Sequence, residues 1–288
     1  MKVLVTGVKG QLGSLVVAHA PSDWDVTGVD QEELDLTRTN QIAAFVRSCE
    51  PHVVINCAAY TNVDAAESDE HTCWLVNADA AGAVAEGAAG AGARMIQVST
   101  DYVFDGAATV PYPETAPISG LGVYGRSKAA GEIAVRQACD DATIVRTAWL
   151  YAPGPANFVA TMLRLAGGGQ TLRVVDDQVG QPTYADDLAQ RLIEVVRADV
   201  PAGIYHGTNS GQTSWFGFAE EILRLWGYGN QIEAVSSDEF TRPAPRPGYS
   251  VLGHDAWSDV GLAPMRDWRE ALASAHRDHA GEFLVGRS

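Results

Sequence analysis

Met1-Lys-Val-Leu-Val-Thr-Gly-Val-Lys-Gly-Gln-Leu-Gly13 opens the chain, and its reading decides the fold. Residues 2–6 are short, apolar and β-branched after Lys2, as suits a strand buried on both faces of a parallel sheet. Gly7, Gly10 and Gly13 follow at once, and residues 11–20 continue with helical character. Glycines at a strand-to-helix turn let the backbone approach a pyrophosphate, which rests on free amides at the helix start. The spacing is Gly-x-x-Gly-x-x-Gly rather than the general Gly-x-Gly-x-x-Gly. An acidic residue closing the second strand belongs to this pattern, and Asp30 stands there after Trp24-Asp-Val-Thr-Gly-Val. A carboxylate favours a free ribose 2′-hydroxyl over a 2′-phosphate, which leans the expectation toward NADH over NADPH.

Downstream, strand-like and helix-like segments alternate as a doubly wound α/β fold requires. Residues 39–48 read as a helix, 52–56 as a third strand, 77–90 as a helix and 94–98 as a fourth strand. A helix follows over 122–139 and a fifth strand over 142–146. Right-handed crossovers bring the carboxyl ends of such strands to one edge, where Gly7, Asp30, Ala58, Thr100 and Thr147 would cluster. The expectation is a Rossmann-type parallel sheet over residues 1–150, with return segments near 184–208. A smaller, interleaved carboxyl-terminal lobe, from 151–183 and 209–288, would lean over the sheet edge as the substrate-binding part. Within it, helices are expected over 157–166, 185–197, 215–226 and 268–277, with strands at 172–175 and 204–206.

Charge and composition exclude several functions. The formal net charge is −16, with three lysines (2, 9 and 128) beside 17 arginines. Such a surface repels nucleic acid and anionic membranes. No apolar run reaches the length of a membrane span, and no basic-then-apolar leader opens the sequence. The four cysteines (49, 57, 73 and 139) show neither metal-type spacing nor a disulfide framework. A cytoplasmic enzyme is expected, without metal. His276 and His279, three apart near a helix end, read as exposed side chains rather than ligands.

Tyr124 and Lys128 lie four apart on the helix expected over 122–139, and so share one face. A neighbouring ammonium stabilises a phenolate and moves the phenol toward the working range of pH. Asp64 and Glu67 have the spacing of a capping box.

Several motifs recur together: Gly7-x-x-Gly10-Gln-Leu-Gly13, Asn56-Cys-Ala-Ala-Tyr-Thr-Asn-Val-Asp-Ala-Ala-Glu67, Ser99-Thr-Asp-Tyr-Val-Phe-Asp-Gly106 and Tyr124-Gly-x-x-Lys128. In this order they resemble an extended short-chain dehydrogenase/reductase, and more narrowly the dTDP-4-dehydrorhamnose reductase family. Arg146-Thr-Ala-Trp-Leu-Tyr151, Asp177-Gln-Val-Gly-Gln-Pro-Thr183 and Arg246-Pro-Gly-x-Ser250 carry the likeness through most of the chain.

The resemblance implies that NADH or NADPH reduces the C4 ketone of dTDP-4-dehydro-6-deoxy-L-mannose to give dTDP-L-rhamnose. Thr100, Tyr124 and Lys128 would be catalytic. Gly7, Gly10, Gln11, Leu12, Gly13, Asp30, Asp35, Leu36, Ala58, Ala59, Tyr60 and Thr61 would bind the cofactor with Tyr124 and Lys128. Thr100, Asp101 and Trp149 would bind the sugar nucleotide, and Arg246 its diphosphate. Trp149 reads equally as closing the fifth strand, and Arg246 as an exposed arginine beside prolines. Asn77 resembles the helix asparagine that supports a proton relay in this superfamily, and reads equally as a cap or a core hydrogen-bonding group. Ser14 and Leu15 follow Gly13 where some members carry magnesium-holding acids, so a monomer or a metal-free homodimer is expected. Two other functions fit the same residues: reduction of another nucleotide-linked 4-keto-deoxysugar, and a non-catalytic dinucleotide-binding regulatory subunit.

Overall fold

Val3 and Val5 of strand β1 (Lys2–Thr6) point to one face and Leu4 to the other, and all three are buried. A strand wet on neither face needs helices on both. In the computed structural model, which describes residues 1–229 and 231–284, β1 lies inside a six-stranded sheet. The others are β2 (Asp25–Val29), β3 (Val53–Asn56), β4 (Arg94–Thr100), β5 (Ala142–Thr147) and β6 (Gly203–His206), in the order β6-β5-β4-β3-β1-β2. Every pairing is parallel. The chain moves outward from β1 to β2 on one side and builds from β3 on the other, so the order switches beside β1. Such a switch opens a crevice at the carboxyl ends of the strands.

Buried polar groups tie those ends together. Thr6 Oγ1 donates to Asn56 Oδ1 at 2.5 Å, Asn56 Nδ2 to Gln97 Oε1 at 2.7 Å, and Gln97 Nε2 to the Val98 carbonyl at 2.8 Å. Each is paired, so their burial does not carry the penalty of a lost hydrogen bond.

Helices α1 (Gln11–His19), α2 (Thr39–Ser48), α3 (Ala80–Gly90), α4 (Val123–Ala138), α5 (Phe158–Ala166), α6 (Ala185–Arg197), α7 (Trp215–Leu225) and α8 (Trp268–His279) complete the frame. On one face, Leu12 and Val16 of α1 meet Leu188 and Leu192 of α6. On the other, Ile42 and Val46 of α2 pack with Val84 and Ala88 of α3 and Val135 of α4. The helix expected to start at residue 77 begins earlier. Glu70–Trp74 is already helical and runs into a π-helical turn, Leu75–Asp79, before α3. At Gly131 of α4 a side chain would meet the Asn77 carbonyl oxygen at 2.1 Å, so α4 rests directly on that turn.

Beyond β5 the chain builds a second core from Tyr151, Leu163, Phe218, Ile222, Trp268 and Leu272. It is framed by α5, α7 and α8 and by the parallel pair Leu172–Val175 and Ile232–Val235. Between these pieces α6 and β6 return to the main sheet, so the two cores are fed by interleaved segments. No helix among the described residues is long and apolar enough to cross a membrane.

An ion pair inside the first core locks α4 to the sheet. Arg146 on β5 donates from Nε and Nη2 to the two oxygens of Glu132 at 2.9 and 2.7 Å, and Ser99 Oγ donates to the same carboxylate at 2.6 Å. Removing one partner from a buried pair strands the other charge and costs about 3–5 kcal/mol. Arg146→Leu should lower the unfolding free energy by that order in urea denaturation. An unchanged midpoint would mean that the pair does not hold α4 in place.

Candidate active site

The glycine loop comes first because its shape is dictated by sterics. Gly7 sits at φ +71°, and a side chain on Gly13 would lie 2.2 Å from the Gly7 carbonyl oxygen. Only glycine allows the turn to fold onto the start of α1 this tightly. Asp30, at the end of β2, accepts backbone N–H groups from Lys9 and Gln31, each at 2.8 Å. Asp35 holds Thr37 through both its amide and its hydroxyl. These segments form one end of a cleft of about 900 Å³.

At the middle, Ala58, Ala59, Tyr60 and Thr61 line the wall. Asn77, in the π-helical turn, holds this loop as a peptide group would: its Oδ1 accepts the Tyr60 N–H at 2.9 Å and its Nδ2 donates to the Tyr60 carbonyl at 3.1 Å. Nδ2 also donates to Ser127 Oγ on α4 at 3.1 Å. Of the three readings left open for Asn77, the geometry supplies a buried hydrogen-bonding one that joins the loop to α4.

Thr100 ends β4, and its Oγ1 accepts the Tyr102 N–H and donates to Asp101 Oδ1 at 2.9 Å. Burial pushes the Asp101 carboxyl up to about 6, with the Ser250 and Thr100 hydroxyls pulling the other way. Lys128 Nζ donates to the Val98 carbonyl at 2.8 Å. Burial brings the Lys128 ammonium down to about 8, with Glu132 opposing. Tyr124, one turn before it, stacks edge-on against Tyr102 with ring centroids 5.5 Å apart. Burial raises the Tyr124 phenol well above its ordinary value, a hydrogen bond with Thr100 offsetting part of that. The lowering expected from Lys128 is therefore not what the site displays: loss of water dominates, and the phenol keeps its proton.

The cleft gathers every expected site residue but one. Gly7, Gly10, Gln11, Leu12, Gly13, Asp30, Asp35 and Leu36 line it, as do Thr100, Asp101, Tyr124, Lys128 and Trp149. Arg246 does not. Its guanidinium donates to Asp64 Oδ1 at 2.9 Å and lies over the Tyr102 ring, because Asp64 supplies a carboxylate within reach of the proline-rich loop. Asp64 and Glu67 accordingly form no capping box. Asn62 caps the short helix Val63–Ala66, while Glu67 Oε1 accepts the Val123 N–H at 2.8 Å at the start of α4.

Sequence reasoning missed Cys57, Tyr102 and Trp215, which also line the cleft. Cys57 and Tyr102 lay inside the quoted motifs and could have been found there. Trp215 opens a helix 66 residues beyond Trp149, and no local signal joins them.

The donor set suits a dinucleotide. A bare backbone turn at a helix start can seat a pyrophosphate, Asp30 flanks it, and buried Gln11 Oε1 and Thr147 Oγ1 in the cleft wall lack partners. A family model for the RmlD substrate binding domain matches residues 1–280. The chain belongs to the RmlD family. This family member is 44% identical over 281 residues to a probable dTDP-4,6-dihydroxy-2-methyloxan-3-one 4-ketoreductase of Streptomyces antibioticus, covering 96% of this chain and 95% of that protein. It is likewise 44% identical to a dTDP-4-dehydrorhamnose reductase of Mycobacterium tuberculosis, over 99% of this chain and 96% of the relative. The crystal structure of the Bacillus anthracis dTDP-4-dehydrorhamnose reductase in complex with NADP superposes with a TM-score of 0.93 at 36% identity. That match covers 96% of this chain and 99% of the other.

The depressed Lys128 pKa makes a stability prediction. The unfolded chain holds this proton near the ordinary value of 10.5 and the folded one only to about 8. The cost of burying the charge is therefore full below about 8 and fades as pH rises toward 10.5. Lys128→Met should be more stable than the parent near neutrality, with the gap shrinking between pH 8 and 10. Urea titrations across that range test it, and a pH-independent gap would refute the assignment.

Proposed function

We propose that this RmlD-family protein uses NADH or NADPH to reduce the C4 ketone of dTDP-4-dehydro-6-deoxy-L-mannose, yielding dTDP-L-rhamnose. The observation that carries this reading is the convergence of Thr100, Tyr124 and Lys128 on the cleft that also holds the glycine loop. An intact set of this kind argues for catalysis rather than for a regulatory subunit that only binds a dinucleotide. The four cysteines are free thiols, in keeping with a reducing cytoplasm.

The bound nicotinamide supplies a hydride to C4 of the sugar. Tyr124, protonated because it is buried, gives its proton to the carbonyl oxygen, so that C–H and O–H bonds replace the C=O double bond. Thr100 hydrogen-bonds the same oxygen and orients it toward the phenol. Lys128, fixed by the Val98 carbonyl, holds the nicotinamide ribose and favours the phenolate left behind, which water then reprotonates. The glycine loop seats the pyrophosphate, and Asp30 reads the adenosine ribose.

Tyr124→Phe should keep its fold and cofactor affinity while turnover falls roughly 10²–10⁴-fold, the scale of a lost general acid. Stopped assays with dTDP-4-dehydrorhamnose, followed by identification of the sugar formed, check both the rate and the product. Undiminished turnover removes the mechanism; a different product, or turnover only with another dTDP-linked keto-sugar, removes the substrate.

Asp30→Ala should raise the preference for NADPH relative to NADH, because a carboxylate beside the 2′-position repels a phosphate. The ratio of kcat/KM values for the two cofactors measures this. An unaltered ratio would show that Asp30 does not read the ribose.

A further inference from the structure

Trp149 is held in an unusual conformation. Its φ is +46°, a left-handed value that a bulky residue adopts only when its surroundings impose it. Its indole lies face to face with that of Trp215, with centroids 3.5 Å apart and planes 10° from parallel. Aromatic pairs left to themselves prefer offset or edge-on geometries with wider separations. So close an overlay is held in place by its neighbours.

Those neighbours come from different parts of the chain. The Trp149 carbonyl accepts the Thr183 N–H, and Leu150–Tyr151 pairs with Thr183–Tyr184. Gly180 lies against the indole, where a side chain would come within 2.6 Å of its Cε2. Gly180 is also paired with Thr213 in a short antiparallel ladder whose other strand, Thr213–Ser214, runs straight into Trp215. Ser214 caps α7 by accepting the Gly217 N–H at 3.0 Å and donates to Asp176 Oδ1. Phe158, at the start of α5, packs on the far indole with centroids 4.6 Å apart. One ladder thus delivers both the glycine that admits Trp149 and the tryptophan that covers it. Both indoles line the same cleft as Thr100 and Asp101.

We propose that Trp215 is a positioning residue for the sugar nucleotide: it fixes the Trp149 indole and extends it into a two-ring apolar wall of the cleft. The ligand class is a nucleotide-linked deoxysugar, whose thymine ring or deoxygenated sugar edge is apolar enough to lie against indole. The cofactor end of the cleft, built on the glycine loop and Asp30, lies on other elements, so Trp215 acts on one ligand and not on the other. This inference rests on the proposed function, since it takes the sugar nucleotide to be the ligand beside Trp149.

The test uses the full chain with Trp215→Ala and Trp215→Phe. Trp215→Ala should weaken dTDP-L-rhamnose binding and raise the KM for the keto-sugar about tenfold, the scale of one lost aromatic pair. The dissociation constant for NADPH should stay unchanged, and Trp215→Phe should regain most of the lost affinity. Stacked indoles couple optically, so the far-ultraviolet circular dichroism couplet of the parent should vanish in both variants. Four results would each overturn the inference: an unchanged KM in Trp215→Ala, NADPH affinity falling in step, Trp215→Phe no better than Trp215→Ala, or no couplet in the parent. A parent that binds dTDP-L-rhamnose through Trp215 but reduces no keto-sugar would leave the inference standing and remove the reductase reading instead.

Discussion

The seating of α4 on the ends of β4 and β5 is the constraint on which the rest depends. Lys128 reaches the Val98 carbonyl, and Glu132, one turn further on the same face, is shared by Ser99 and Arg146. These bonds are directional and buried, unlike the alanine and valine contacts that surround them. Apolar packing alone tolerates small slides and rotations of a helix; a bidentate ion pair does not. With α4 fixed in rotation and height, Tyr124 must face Thr100, since it sits one turn before Lys128 on the same stripe. Glu67 fixes the same helix from its amino end by taking the Val123 N–H.

The electrostatics of the site follow from that burial. A phenol deprived of water resists ionisation, and an amine deprived of water resists protonation, so Tyr124 and Lys128 shift in opposite senses from their free values. The buried phenol therefore keeps its proton, as the proposed role of a proton donor requires. The same burial makes the Lys128 charge costly to hold. Buried polar atoms without partners, Gln11 Oε1 and Thr147 Oγ1, add to the same local expense. Functional sites often depart from what stability alone would select, and the buried pairs in the surrounding frame offset the cost.

The sheet was legible because each strand carries its own evidence. Residues 2–6, 52–56, 94–98 and 142–146 are apolar runs bounded by turns, and the parallel topology then puts their carboxyl ends together whatever the details of packing. Asp30, Thr100 and Thr147 reached the cleft for that reason alone. The start of the helix read at 77 was misplaced because Asn77 looks like a cap in isolation. In the fold the helix already runs from Glu70, and the π-helical turn there presents the Asn77 amide to Tyr60. Arg246 was read equally as a diphosphate contact and as an exposed arginine, because its neighbours in sequence say nothing of Asp64, 182 positions away, whose carboxylate accepts from its guanidinium. Glu67 followed the same logic in reverse: its spacing from Asp64 suggested a local cap, and it serves as a cap for a distant helix.

What sequence periodicity cannot carry is the seam between the two cores, because its contacts are few, polar or aromatic, and drawn from segments far apart in the chain. Gln11 Nε2 reaches from the glycine loop to the Ala156 carbonyl at 3.0 Å. Asp64 holds the loop with Arg246 beside the start of α4. Trp149, just past β5, and Trp215, at the start of α7, meet face to face against the second core. These crossings flank the cleft rather than filling it, so the sheet supplies the dinucleotide end and the late segments supply the cover. A ligand lying across that seam touches both halves at once, and its orientation is then set by how firmly the seam is held. The interleaving of α6 and β6 into the main sheet gives that firmness: the chain must pass back through the first core between its visits to the second, which ties the cover to the frame that positions Tyr124.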